Sequence, residues 1–258
     1  LAIGDKQWLV TKPAGTDLIS DIDGYQSDNN YALQTILKNY RRIPSIYNSS
    51  DSEITIGPGE VTTYGSIYQF RANTASITCT DASMEASTWY YIYAVADDAA
   101  VTTFTAELVK YGDTPAGTNT RLISMCKTDA DGDIISFKQT GNDYAYVVNP
   151  TLFYDSDLST PTAGWNAIDI SPYVPSALST RASFIVAAGT SQYADLANDG
   201  SVSTSGGEFG PNRTVNLSQA SVRPHVIQEW DILTADTIYA MASAAITIYV
   251  CGFTINKL

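Results

Sequence analysis

Residues 88–147 constrain the fold more than any other stretch of this chain. They read TWYYIYAVADDAAVTTFTAELVKYGDTPAGTNTRLISMCKTDADGDIISFKQTGNDYAYV. Three short apolar runs, at 89–95, 122–126 and 134–137, lie between segments rich in Gly, Pro, Asp and Thr. Apolar runs of this length between turn residues are the mark of an antiparallel β-meander. Further short runs at 54–61, 66–71, 75–80, 103–111 and 144–148 extend the pattern on both sides. Seven or eight such strands with regular turns predict an antiparallel β-sandwich of jelly-roll type or a barrel.

The last third continues in the same style. Strands are expected at 182–188, 222–227, 236–241 and 245–255. The final one, AITIYVCGFTI, alternates. Ile246, Ile248 and Val250 form one face, and Thr247, Tyr249, Cys251 and Phe253 the other. Apolar residues on both faces point to a strand inside a sandwich or at a subunit contact.

One segment breaks the pattern. In DNNYALQTILKNYRR, residues 28–42, apolar residues recur at three- and four-residue spacing. Asp28 stands as an N-cap, Lys38, Arg41 and Arg42 lie where the helix dipole favours cations, and Pro44 closes the segment. A helix is expected here. The stripe of Leu33, Ile36, Leu37 and Tyr40 is about two heptads long, short of a coiled coil. Such a helix is marginal alone in water, so it packs on its own domain or on the same stripe of other copies. Three pieces follow: an N-terminal attachment segment at 1–48, a β-sandwich at 49–149, and at 150–258 a second sandwich or the second half of one domain. A chain of 258 residues is long enough for real cores in either arrangement.

The order of the words in the meander has a counterpart. The aromatic strand WYYIYA comes first, then TRLISM (Thr120, Arg121, Leu122, Ile123, Ser124), then the turn Thr128, Asp129, Ala130, Asp131, Gly132, then DIISF, and finally GWNAIDISPYVP at 164–175. This resembles a block in structural proteins of tailed bacteriophages, mainly tail-fibre, head-fibre and other virion-surface proteins. There the segments run approximately WYYVYA, YRRIGSF, TDGxGNIIPF and WxxIDLSxYVP. The resemblance covers 88–175, about a third of the chain, and its words are strand and turn, not chemistry. It implies a virion component, surface-exposed as fibre, spike or decoration, working with other virion proteins and in host attachment. It also implies a homotrimer, the common state of fibre-type members. No catalytic residue comes with it.

Composition agrees with that implication. Only 16% of residues are charged, Tyr accounts for 17 of 258 residues, and the net charge is −13. Tyr suits half-buried strands and adaptable contact surfaces. An acidic chain lacks the clustered Lys and Arg that neutralise phosphate, so nucleic acid is not an expected partner. No stretch is long and apolar enough to insert in a membrane as a helix.

Candidate chemistry is sparse. His225 is the single histidine, no nucleophile elbow accompanies it, and a structural role is expected. Cys79, Cys126 and Cys251 are odd in number and widely spaced, which argues for buried thiols and against a disulfide framework. No Cys/His grouping suits zinc. Asp129, Asp131 and Asp133 resemble the opening of a calcium loop, but Gly132 comes too early and no Glu stands at position twelve. A tight Asp-Gly turn is the expectation instead. No catalytic residue, cofactor or metal is therefore predicted. Two other classes fit an acidic, Tyr-rich β protein: a carbohydrate-binding module or adhesin, and a glycan depolymerase, for which two carboxylates suffice. The chain has no fixed-period repeat of the β-helical kind that depolymerases use. For a glycan or receptor contact the aromatic candidates are Trp165, Tyr173 and Tyr193.

Overall fold

The computed structural model describes residues 40–43, 45–64, 68–97, 102–155, 166–175, 178–188, 194–197, 225–231, 236–242 and 246–255. The protein is mainly β, and no helix occurs among the described residues. In chain order the strands are β1 (Arg41–Arg42), β2 (Ile46–Ser50), β3 (Glu53–Ile56), β4 (Gly59–Tyr64), β5 (Tyr68–Asn73), β6 (Ile77–Thr80), β7 (Trp89–Val95), β8 (Thr105–Lys110) and β9 (Thr120–Lys127). They continue with β10 (Phe137–Thr140), β11 (Asp143–Tyr146), β12 (Thr151–Asp155), β13 (Asn166–Asp169), β14 (Ser179–Ala188), β15 (Ala194–Ala197), β16 (His225–Asp231), β17 (Thr237–Ala242) and β18 (Ile246–Ile255).

These strands form two compact units that interleave along the sequence. The first comprises Leu1–Pro44, Thr55–Thr80 and Tyr90–Met125. The second comprises Ser45–Ile54, Asp81–Trp89 and Cys126–Leu258.

The first unit is built on a sheet of order β1-β4-β9-β7-β8, with β5 also paired to β4. Its aromatic strand, expected from the apolar run at 89–95, alternates in burial. Tyr90, Ile92 and Ala94 are buried, and Tyr91, Tyr93 and Val95 are half-buried. β8 runs antiparallel beside it, from Tyr90 opposite Lys110 to Val95 opposite Thr105. Asn73 is buried and stands in for a strand neighbour: its side chain donates to the Phe104 carbonyl (2.9 Å) and accepts from the Phe104 amide (3.2 Å).

The helix expected over 28–42 does not end as helix. Residues 28–39 lie outside the described residues, and Arg41–Arg42 form β1, paired antiparallel to β4 with Arg41 opposite Val61 and Arg42 opposite Glu60. The ladder offered by β4 satisfies these backbone groups, and the Arg41 guanidinium hydrogen-bonds the Ile123 carbonyl. Burial, with the Arg121 charge second, lowers the pKa of Arg41 to about 10. A tertiary ladder thus overrides the local helical pattern.

The second unit carries a larger sheet, in which β16, β14, β18, β11, β10, β2 and β3 follow one another and β12 pairs with β18. A separate three-stranded sheet has the order β13-β17-β15, with Ile168 opposite Ile238 and Leu196 opposite Ala240, all buried.

β18 is the organising strand of the larger sheet. Ile246, Ile248 and Val250 are fully buried, as the alternation predicts. Phe253, expected on the opposite face, is buried too. The reason is a β-bulge: Phe184 of β14 faces Val250 while Ser183 faces Gly252, which leaves Cys251 as the extra residue. One extra residue reverses the alternation beyond it and brings Phe253 and Ile255 to the core face.

Candidate functional site

Trp89, Phe137 and the IDISPYVP segment, from three of the words that carry the viral resemblance, meet in the second unit, while TRLISM belongs to the first. Phe137 of β10 and Tyr144 of β11 stack with ring centroids 4.7 Å apart, and Tyr144 stacks on Phe253 at 4.4 Å. Tyr146 meets both Tyr144 and Phe253 edge-on. Trp89, the first residue of the aromatic strand, packs edge-on to Phe253 at 6.1 Å, with the Lys127 ammonium 5.6 Å from its ring. Burial pushes both Tyr144 and Tyr146 well above the ordinary tyrosine pKa, and the neighbouring hydroxyl and Cys126 add to it.

This aromatic layer holds the turn of the ISPYVP word. The Trp89 indole N–H donates to the Ser171 carbonyl (3.2 Å), and the Tyr146 hydroxyl donates to the Tyr173 carbonyl (2.8 Å). Within the turn, the Asp169 carboxylate accepts from the Ser171 amide, and the Tyr173 and Val174 amides donate to the Ile170 carbonyl. Tyr173 itself is half-buried, its ring perpendicular to Tyr146 at 6.4 Å. Of the three aromatic contact candidates, Tyr173 therefore sits on a fixed backbone with part of its surface open. Trp165 and Tyr193 lie outside the described residues.

Of the four oligomer candidates, Leu33, Ile36 and Leu37 also lie outside the described residues. Tyr40 belongs to the first unit and is not helical. Its carbonyl accepts from the Thr62 amide, its hydroxyl donates to the Glu60 carboxylate (2.6 Å), and its ring lies 5.9 Å from Phe70.

The DADGD segment is a tight turn. One Asp129 carboxylate oxygen accepts from the Asp131 and Asp133 amides, at 2.9 and 3.0 Å, and Gly132 takes a φ of 91°. Thr128 and Ile134 pair across it as an isolated bridge. Cys79, Cys126 and Cys251 are free thiols. No group of three or more His, Cys, Asp or Glu suited to a metal ion occurs among the described residues. His225 opens β16, the end strand of its sheet order.

Sequence reading missed a second pinned loop, the Gly/Pro segment in the first unit. Asp97 accepts from the Thr118 and Asn119 amides (2.8 Å each), and Glu107 from the Ala116 amide (2.9 Å). The Asn119 hydrogen bond, opposed by desolvation and aided by Thr118, holds the Asp97 pKa below its ordinary value of 3.8. A strand-end Asp twenty or so residues before a Gly/Pro loop is the only signal in the sequence, and it does not reveal the pairing.

No family model, curated protein or solved structure matches this chain.

Proposed function

We propose that this chain is a structural component of a tailed-phage virion, exposed at the particle surface as a fibre, spike or decoration and contributing to host attachment. In this reading its antiparallel sheets fold as jelly-roll-like sandwiches, its copies associate as a homotrimer, and it works by binding and not by catalysis. One observation carries the reading. Trp89 of WYYIYA, Phe137 of DIISF and the turn of IDISPYVP join one aromatic layer, in which Trp89 hydrogen-bonds the Ser171 carbonyl and Tyr146, which lies outside those words, hydrogen-bonds the Tyr173 carbonyl. Segments that keep their order along the chain and also support one another in space behave as one structural block. Peptide identification in gradient-purified particles of the source virus tests the reading. Recovery of this chain in stoichiometric multiples with the other particle proteins is the expected result; its absence from particles, with presence in infected-cell lysate, overturns it. Light scattering on the purified protein tests the trimer: three times the 27.8 kDa chain mass is expected, and a monomer at micromolar concentration contradicts it.

A further inference from the structure

The first unit bears a cleft that the virion reading does not use. Its residues come from one face of three neighbouring strands. Across β1, β4 and β5, Arg42, Glu60 and Ala72 stand in one row. Two residues along, on the same face, Thr62 stands opposite Phe70 and binds the Tyr40 carbonyl through its amide. The first row lines a cavity of about 260 Å³ together with Pro58, Gly59 and Thr74. The second row stands beside it on the same strand face: Phe70 is 47% exposed, Tyr40 is half-buried against it, and Thr62, 2% exposed, lies buried in the same row.

The strands approach unusually closely at the cavity. A side chain at Gly59 would place its Cβ 2.5 Å from the Arg42 carbonyl oxygen and 2.9 Å from the Ile43 Cα. Only glycine lets β4 approach β1 this closely.

The polar groups are arranged for hydroxyls. Tyr40 donates to one Glu60 oxygen, Oε2, which ties down the carboxylate of a residue that lines the cavity. Arg42 is exposed, lies against the Tyr40 hydroxyl, and offers a planar set of donors. Phe70 presents an aromatic face whose negative quadrupole attracts C–H edges. Acceptor, donor fork and aromatic side chain in adjacent rows of one strand face match a pyranose ring, which carries vicinal hydroxyls on its rim and C–H groups on its faces. Charge narrows the class further. Arg42 and Glu60 cancel locally, and the chain as a whole carries −13, so the long-range field disfavours a polyanion. The volume is below the ~300–1,000 Å³ of sites for drug-sized ligands, enough for one sugar ring.

We infer that the Arg42–Glu60–Phe70 cleft of the first unit is a binding site for one neutral hexopyranose unit of a saccharide chain. The inference stands on the chemistry of the cleft and does not require the virion reading, so either can fail alone.

Saturation-transfer NMR on the full chain tests it, with maltotriose, mannotriose, lactose and chitotriose as neutral probes and trigalacturonate as the anionic one. At least one neutral probe is expected to receive saturation at ligand concentrations on the order of 1 mM, an affinity worth about −4 kcal/mol. Phe70→Ala should weaken that binding at least tenfold and Glu60→Gln several-fold. Tyr111→Ala, which removes an exposed aromatic outside the cleft, should leave it unchanged. Circular dichroism checks that each variant folds. Arg42→Gln, at an exposed position, serves in place of Phe70→Ala if that variant does not fold, and should also weaken binding several-fold. No saturation of any neutral probe, binding undiminished in the cleft variants, or preference for trigalacturonate overturns the inference.

Discussion

The Tyr146 hydroxyl donates a hydrogen bond to the Tyr173 carbonyl across 2.8 Å, tying β11 to a turn 27 residues later. Tyr144, two residues before Tyr146 on the same buried face, makes the informative contrast. Its ring is sandwiched between Phe137 and Phe253, but its buried hydroxyl has no hydrogen-bond partner among the described residues. Removing one hydroxyl strands a carbonyl, while removing the other relieves a buried donor.

Tyr146→Phe is therefore expected to cost about 1.5 kcal/mol, a lost hydrogen bond plus part of the penalty for the carbonyl left behind. Tyr144→Phe is expected to be neutral or stabilising, because it deletes a desolvated group and keeps both stacked contacts. Urea denaturation of the two single variants checks this. Equal losses in both would mean that Tyr144 also has a partner.

Two glycines separate close approach from backbone conformation. A Cβ on Gly252, just beyond the bulge, would lie 2.0 Å from the Tyr144 carbonyl oxygen and 3.0 Å from the Ala145 Cα. Both are backbone atoms that cannot turn aside, so Gly252→Ala should cost about 3 kcal/mol. Gly112 has a φ of 95° and nothing within 4 Å, so Gly112→Ala should cost only the left-handed penalty, about 1 kcal/mol. Thermal melts of both variants measure the difference.

Asp97 should make stability depend on acid. Its pKa is lowered in the folded state, so its contribution is present above the unfolded value, near 3.8, and is lost as the pH falls through the lower folded value. Asp97→Asn should melt below the parent at pH 7 and converge on it in strong acid. A gap between the two that does not change between pH 7 and pH 2 would show that the carboxylate charge is not what holds the 116–119 loop.

At high pH the tyrosines act in the opposite direction. Burial first, then the neighbouring Tyr111 and Tyr93, raises Tyr91 to about 12, and burial raises Tyr144 and Tyr146 well beyond the usual value. A raised folded pKa stabilises below the unfolded value near 10 and is lost as the pH climbs toward the folded one. Stability should fall steadily above pH 10. Absorbance at 295 nm should reveal a set of tyrosines that ionise only with unfolding.

Much of the strand pattern was legible in the sequence. Trp89–Val95 forms the expected strand, and Ile246, Ile248 and Val250 form a buried face, because side-chain period and burial are local consequences of the pleat. Phe253 was misread because a bulge depends on which strand lies alongside, in this case β14 with its shift at Ser183 and Phe184. Arg41 and Arg42 were read as helix because their pairing partner, β4, lies some twenty residues on. The aromatic layer was partly visible as words, but its contacts, from Trp89 to Phe253 and Tyr146 to Tyr173, span up to 164 residues (253 minus 89) and have no local signature. The Arg42–Glu60–Phe70 cleft was invisible for the same reason: its residues come from three strands whose register the sequence does not state.

Whether this chain is carried on a tailed-phage particle, and where, is the most direct test of the account. Electron cryomicroscopy of source-virus particles, decorated with antibody fragments raised against the purified protein, measures it. The account predicts label at the outer surface, on a tail or head appendage, with density at those sites that fits three copies of the chain. Particles that carry no label, while the same fragments bind the purified protein, would contradict it.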